Sequence, residues 1–425
     1  MKEIEMKKFY IFPYIIFLME IIFPIDTEAI PAFARKYGFN CNMCHTGFTK
    51  LNDWGQRFRD DGYQIPGQEG TEKNVFDTPP PISMRTSFGY TAYKNNEGTS
   101  STFNLYGLDL LAAGVLHKNI SFLLVYTPRI DEPSNSFQGP NNLNSNPSQL
   151  GVLESVSLVF SNIIQDALNI RVGRFEPAYH VFSSKRSYYL FEPYEIYTLT
   201  TPNNSYSFND NQIGIELTGH FRSGFKYAAG IVNGNGASPD NNNQKDLYAN
   251  IVQTFGNGDG QSAGQRLGVF GYYGWQPMVL PGTVVGTMGE TNGSDNKTFY
   301  RIGTNGSFNW DAFNLQALYM IGIDDKAFNT MKPTEDYQYT GGFVELDYAG
   351  LFNDKLVASI MFNWITPPSY NNDREINAYS ALLRYYLGDW SAVNIALHFE
   401  YTHRETGNNN KIKEDLVALA LDFAF

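Results

Sequence analysis

From Ile82 to its end the chain alternates apolar and polar residues with a period of two, broken at intervals by clusters of Asn, Gly, Pro and Ser. That period belongs to a β-strand whose two faces meet different surroundings. Val393, Ile395, Leu397, Phe399 and Tyr401 share one face of such a segment; Asn394, Ala396, His398, Glu400 and Thr402 share the other. The last segment repeats the pattern, with Val417, Leu419, Leu421, Phe423 and Phe425 set against Ala418, Ala420, Asp422 and Ala424. About 16 such segments follow one another, from one near 82–93 to one at 413–425, while 190–199 reads either as a further strand or as a folded loop. Their connections alternate between short ones, such as His117-Lys118 and Arg222-Ser223, and long ones, such as Ile130 to Gln149 and Ala178 to Asn211. An even number of strands, with short turns at one end and long loops at the other, is the pattern of a bacterial transmembrane barrel. A soluble β-sandwich also alternates, but it has no reason to alternate its loop lengths. The expected fold is all-β, a transmembrane antiparallel β-barrel of about 16 strands over residues 82–425.

Upstream of Ile82 the period is lost. Residues 30–81 hold a polar, helix-compatible stretch from Phe48 to Asp61 and a linker at Pro79-Pro80-Pro81, which reads as a small, partly helical segment ahead of the barrel. Residues 1–29 read as a secretory signal peptide: Lys2, Lys7 and Lys8, an apolar run from Phe9 to Phe23, then Thr27-Glu28-Ala29. A spanning helix needs about 20 predominantly apolar residues, and Pro13, Glu20 and Pro24 interrupt this run. Losing its three lysines and five acidic residues takes the formal charge from −12 to −10, which argues against nucleic acid as a partner. With 17% charged and 15% aromatic residues, 38 glycines and a Phe at its end, the chain suits an aromatic-rich barrel in an outer membrane, with lipid as its surroundings.

Cys41-Asn42-Met43-Cys44-His45 contains both cysteines of the chain. Cys-x-x-Cys-His is the attachment signature of a c-type haem. Each thiol can add across one porphyrin vinyl group, and the adjacent His45 is then held under the ring as the proximal iron ligand. The competing reading is a redox dithiol, which belongs beside a βαβ pattern, and nothing of that kind follows. The expectation is one covalent haem c on Cys41 and Cys44, in a monohaem cytochrome segment over 30–81.

The face opposite the apolar one carries Arg85, Asp109, Arg129, Arg171, Glu216, Lys226, Arg301, Glu345, Asp347, Arg384, Glu400 and Asp422, mixed charges that suit a wet lumen or one filled by a polar plug. A second axial ligand for the iron has no source nearby, because no His or Met lies between Thr46 and Ile82 and Met43 is inside the attachment loop. Lumen-facing candidates are Met320, Met361, His220 and His398, while Met84 falls on the lipid face by the same alternation. A five-coordinate iron, or an unusual ligand such as Lys50, is the alternative.

Ala32-Phe33-Ala34-Arg35-Lys36-Tyr37 leading into the haem motif, then Leu51-Asn52-Asp53-Trp54-Gly55 and Asp61-Gly62-Tyr63, resembles the fused monohaem cytochrome-porins of iron-oxidising bacteria. Arg171-Val172-Gly173-Arg174-Phe175-Glu176 followed by Pro193-Tyr194-Glu195-Ile196-Tyr197 resembles a barrel element of the same family. The specific motif covers residues 31–67; the rest of the likeness is architectural. The resemblance implies an outer-membrane protein that takes electrons from extracellular Fe(II) and hands them to a periplasmic electron carrier, a cytochrome or a copper protein. Two other readings stand beside it. One is the same conduit with a different extracellular donor. The other is a diffusion porin whose small haem segment sits at its periplasmic side.

Overall fold

The structure, a computed structural model, describes residues 32–39, 43–47, 49–77, 82–128, 151–179, 182–191, 194–236, 238, 240–256, 264–277, 296–387, 394–408 and 410–424. The signal-peptide reading, Cys41, the proline linker, Arg129, Val393 and Phe425 lie outside these residues.

Ahead of the barrel come helix α1 (Ala32–Tyr37), a two-stranded hairpin of β1 (His45–Gly47) and β2 (Lys50–Leu51), and helix α2 (Asp53–Asp60). The first wall strands are β3 (Ile82–Lys94), β4 (Thr99–His117), β5 (Ile120–Pro128) and β6 (Gly151–Phe160); a short β7 (Ile163–Asp166) sits in the turn before β8 (Asn169–Phe175). After a long connection holding the helical turn α3 (Glu195–Thr198) come β9 (Gln212–His220), β10 (Phe225–Val232), β11 (Asp246–Phe255), β12 (Gln265–Pro277) and β13 (Asn296–Trp310). The wall ends with β14 (Phe313–Asp324), β15 (Tyr337–Leu351), β16 (Leu356–Thr366), β17 (Ile376–Tyr386), β18 (Asn394–Thr406) and β19 (Ile412–Ala424).

Leaving out β1, β2 and β7, these form one closed barrel of 16 strands. It closes where β19 pairs antiparallel with β3, from Asp415 opposite Lys94 to Ala424 opposite Arg85. Closure removes the exposed edges that an open sheet would present. The outer face is apolar, with Val269 at 56%, Ile302 at 60% and Ile360 at 60% exposure. A soluble monomer rarely leaves so continuous an apolar belt in water; in lipid it is the required surface. Inside, Arg171, Glu216, Arg301, Glu345, Asp347, Arg384, Glu400 and Asp422 are all buried, as the alternation predicts.

One glycine changes the reading along β4. Thr86 pairs with Leu108 and Ser87 with Tyr106, so Gly107 is an extra residue, at φ +56°. Such a bulge reverses which parity faces outward. Phe103 lies outside opposite Tyr90 on one side of it, and Leu110 opposite Met84 on the other.

Two segments fill the lumen. Residues 32–77 form a plug on the side of the short turns: Gln64 donates to Ser161 at 2.9 Å, Asn169 donates to Asp61 at 2.9 Å, and Arg57 lies 3.0 Å from Asp166. Residues 176–211, between β8 and β9, fold inward from the other end. The stretch 190–199, open in sequence between strand and loop, is part of this inward loop and carries α3. Its Tyr179, Phe182, Tyr188, Tyr194, Tyr197, Tyr206 and Phe208 join Phe270, Tyr272, Phe299 and Phe343 of the wall in one buried cluster.

Candidate functional site

The plug has its own small aromatic core, which is why a segment of so few residues holds a shape. Phe33 stacks on Tyr63 with ring centres 5.0 Å apart and meets Phe58 edge-on at 5.1 Å, and Trp54 stacks on Phe58 at 5.4 Å. Rings in these geometries add to what their burial alone contributes.

The Met43-Cys44-His45 end of the Cys-x-x-Cys-His motif is gripped by the start of α2. Asn52 caps that helix, accepting from the Gly55 amide at 2.8 Å, while its own side-chain amide donates to the Met43 carbonyl at 3.0 Å. The Asn52 backbone amide donates to the Cys44 carbonyl at 2.9 Å. A Cβ on Gly55 would sit 2.1 Å from that same carbonyl oxygen, so only glycine lets the helix approach so closely. Burial inside the plug pushes the His45 imidazole down to about 4. It is therefore neutral at ordinary pH, the form in which a ring nitrogen binds a metal.

Cys44 and His45 border a cavity of about 330 Å³ lined by the plug, the inward loop and wall strands β3, β4, β5, β6, β8 and β19. Phe33, Phe58, Leu111, Leu123 and Val125 make one part of its lining apolar, and Arg59, Arg85, Lys185 and Arg186 make another cationic. Its volume falls within the roughly 300–1,000 Å³ of small-ligand sites. The chemistry of this lining, apolar on one part and cationic on another, suits a flat apolar ring carrying carboxylates. Cys44 and His45 are the described residues of the motif that would hold such a ring.

The five candidates for a second axial ligand are dispersed. His220 Nε2 lies 3.1 Å from Asp60, and His398 Nε2 lies 3.0 Å from Glu400, which also accepts from the Leu190 amide at 2.8 Å. Met320 and Met361 pack in the buried aromatic cluster. None of these four borders the cavity; Met84 does. Opposite outward-facing Leu110 in the ladder, Met84 keeps the lipid-side parity given by the alternation. Lys50 is engaged elsewhere, with Nζ 2.7 Å from Glu345, 2.6 Å from Asp347 and over the Tyr188 ring. Burial opposes its charge, yet Asp347 and Glu345 together hold its ammonium above the ordinary lysine value.

Further pairs set the depth of the plug. Asp53 meets Lys226 and accepts from Thr254 at 3.2 Å, and Asp60 lies 3.4 Å from Arg171. From the sequence, the alternation identifies Arg85, Asp109 and Arg171 as lumen residues, and the structure brings all three to the cavity wall. Lys185 and Arg186 carry no such signal beyond being two adjacent cations in a charge-poor connection.

The sequence matches no family model and no curated protein. In three dimensions the chain is similar to solved outer-membrane porins. The anion-selective porin from Comamonas acidovorans superimposes with a TM-score of 0.54 at 11% identity, over 81% of this chain and 100% of that one. OprB of Pseudomonas putida gives 0.51 at 13% identity, over 87% and 100%. The outer membrane channel DcaP of Acinetobacter baumannii gives 0.53 at 8%, over 81% and 97%. The barrel is therefore porin-like in fold. At that level the likeness favours the porin reading and carries nothing about haem or iron.

Proposed function

We propose that this protein is an outer-membrane electron-transfer protein, with one haem c joined to Cys41 and Cys44 and His45 as its proximal ligand. It takes electrons from extracellular Fe(II) and passes them to a periplasmic cytochrome or copper protein. The observation that carries the reading is that Cys44 and His45, the described end of the single Cys-x-x-Cys-His motif, border a cavity with apolar and cationic walls inside a porin-like barrel. Bound there, the haem supplies a one-electron redox centre. The chain's own part is to present a neutral imidazole, to shield the site with the Phe33 and Phe58 rings, and to keep the plug at one depth through Lys50, Asp53 and Asp60. Ferrous iron gives up its electron at the outer side, so insoluble ferric product stays outside the cell. The Fe(II) assignment itself rests on the resemblance of residues 31–67.

The test is to mix purified protein with Fe(II) in a stopped-flow instrument at acid and neutral pH while following the haem spectrum. Rapid reduction is expected, lost in a His45 variant that still assembles its barrel. A haem that stays oxidised in excess Fe(II) at both pH values reassigns the donor. Absence of covalently bound haem from the wild type removes the whole reading.

The porin reading has the fold likeness behind it. Its opposing observation is that described residues of both segments, Lys50 of the plug and the aromatics of the inward loop such as Tyr194 and Tyr206, pack inside the lumen. Planar-bilayer recordings separate the two: a wide conductance that survives loss of haem belongs to a diffusion porin.

A further inference from the structure

The charges around the cavity do not balance. Arg59 of α2, Arg85 of β3, and Lys185 and Arg186 of the inward loop line it, against the carboxylates of Asp109, Glu154 and Glu176; a fifth lining cation, Arg171, is already matched by Glu216 at 2.8 Å and Asp60 at 3.4 Å. The sharing shows where the excess lies. Arg186 and Arg59 converge on one carboxylate, Glu176, at 2.6 and 3.5 Å. Arg85 reaches Asp422 at 3.6 Å, but Asp422 is already held by Arg384 and by Ser87, which donates at 2.5 Å. Away from the cavity the balance reverses, since Lys50 alone faces both Glu345 and Asp347. Cations that share a partner inside a protein are costly unless an anion completes them, and guanidinium groups match carboxylates in bidentate geometry.

We propose that this cationic wall is a cradle for the two carboxylates of a tetrapyrrole, and that the inward loop as well as the plug supplies it. The inference rests on the haem reading and deepens it. The apolar lining from Phe33, Phe58, Leu123 and Val125 receives the ring, and the cations that share Glu176 and Asp422 meet its two carboxylates. Because Arg59 belongs to the plug, Arg85 to the wall and Lys185 with Arg186 to the loop, one ligand ties three parts of the molecule together. Loading the site then secures the loop as well as the motif.

The experiment uses the full chain carrying Cys41→Ala and Cys44→Ala, purified without haem and titrated with haemin and with haemin dimethyl ester, which lacks the free carboxylates. Haemin is expected to bind more tightly than the ester by roughly tenfold or more. Adding Arg85→Gln and Lys185→Gln should remove that preference and leave ester binding unchanged. Lys185→Gln alone, at a partly exposed position, serves if the double variant does not assemble, and should reduce the preference. A second readout is trypsin cleavage after Lys185 and Arg186, slower in the haem-loaded wild type than in the Cys→Ala chain. Equal affinity for haemin and ester in the chain with its cradle intact overturns the proposal. If the wild type carries covalent haem but the Cys→Ala chain shows no ester discrimination, the cradle alone fails; if the wild type carries no covalent haem, the haem reading fails with it.

Discussion

The plug meets the barrel wall mainly through charge, whereas the inward loop meets it mainly through ring faces. On the plug, Lys50 is clamped by Glu345 and Asp347, Asp53 by Lys226, and Asp60 by Arg171 and His220. On the loop, Tyr194 stacks on Phe343 with ring centres 4.0 Å apart, Tyr206 lies 4.4 Å from Tyr272, and Tyr179 meets Tyr248 edge-on at 4.9 Å. Buried ion pairs are unforgiving of displacement, because a partner left alone keeps its desolvation cost; they hold the plug in one register. Ring packing is less directional and excludes water over a wide area. The barrel thus positions the plug with charge and closes the lumen around it with aromatics.

The largest effect that would break this contrast is expected from Lys50→Met. It leaves Glu345 and Asp347 side by side with no cation, at a cost of about 3–5 kcal/mol to plug docking. Residues 32–77 should become accessible to protease while the barrel still migrates anomalously in unboiled gels. Loss of barrel and plug together would show that they are not separable. Tyr194→Ala should cost about 3 kcal/mol, felt in the loop: more cleavage between Phe182 and Phe208 and a measurable ion conductance, with the plug still protected.

Acidity gives a smaller, signed effect. Burial pushes the Asp61 carboxyl up to about 6, against the pull of His220, Arg57 and the Asn169 amide. A folded value above the unfolded one means the stabilisation is complete below about pH 4 and is lost as pH rises through 6. Against desolvation, His220 and Arg171 hold neighbouring Asp60 well below the carboxylate range, so it stays ionised across this window. His45, held down to about 4 by burial, works the other way and loses stabilisation as pH falls from 7 to 4, so the Asp61 part is read against Asp61→Asn: over that fall the wild type should gain plug docking relative to the variant by on the order of 2 kcal/mol, measured by protease protection. The smallest change is Asn52→Ala, which removes the α2 cap at a cost of about 1 kcal/mol and frees the Met43 carbonyl. Its readout is less covalent haem per assembled barrel by peroxidase-type staining.

The strand pattern and the buried charges of the wall were legible in the chain because an extended backbone turns each successive side chain to the opposite face. Arg301, Glu345 and Arg384 could be placed inside from their neighbours alone. Gly107 interrupts that reading, since a single extra residue exchanges the faces of β4. The inward loop has no period, so neither α3 nor the arrival of Lys185 and Arg186 beside Arg59 could be read from it. His220 and His398, candidates in sequence for the second axial position, prove to be paired with Asp60 and Glu400.

By itself, then, the sequence determined a lipid-facing strand barrel and a Cys-x-x-Cys-His motif ahead of it, because both depend on residues a few positions apart. The tertiary structure alone decided the depth of the plug, the balance of charge at the cavity and the closing of the lumen. Those depend on pairs such as Lys50 and Asp347, 297 residues apart, which no local periodicity brings together and which meet only once the barrel has closed around its own N-terminal segment.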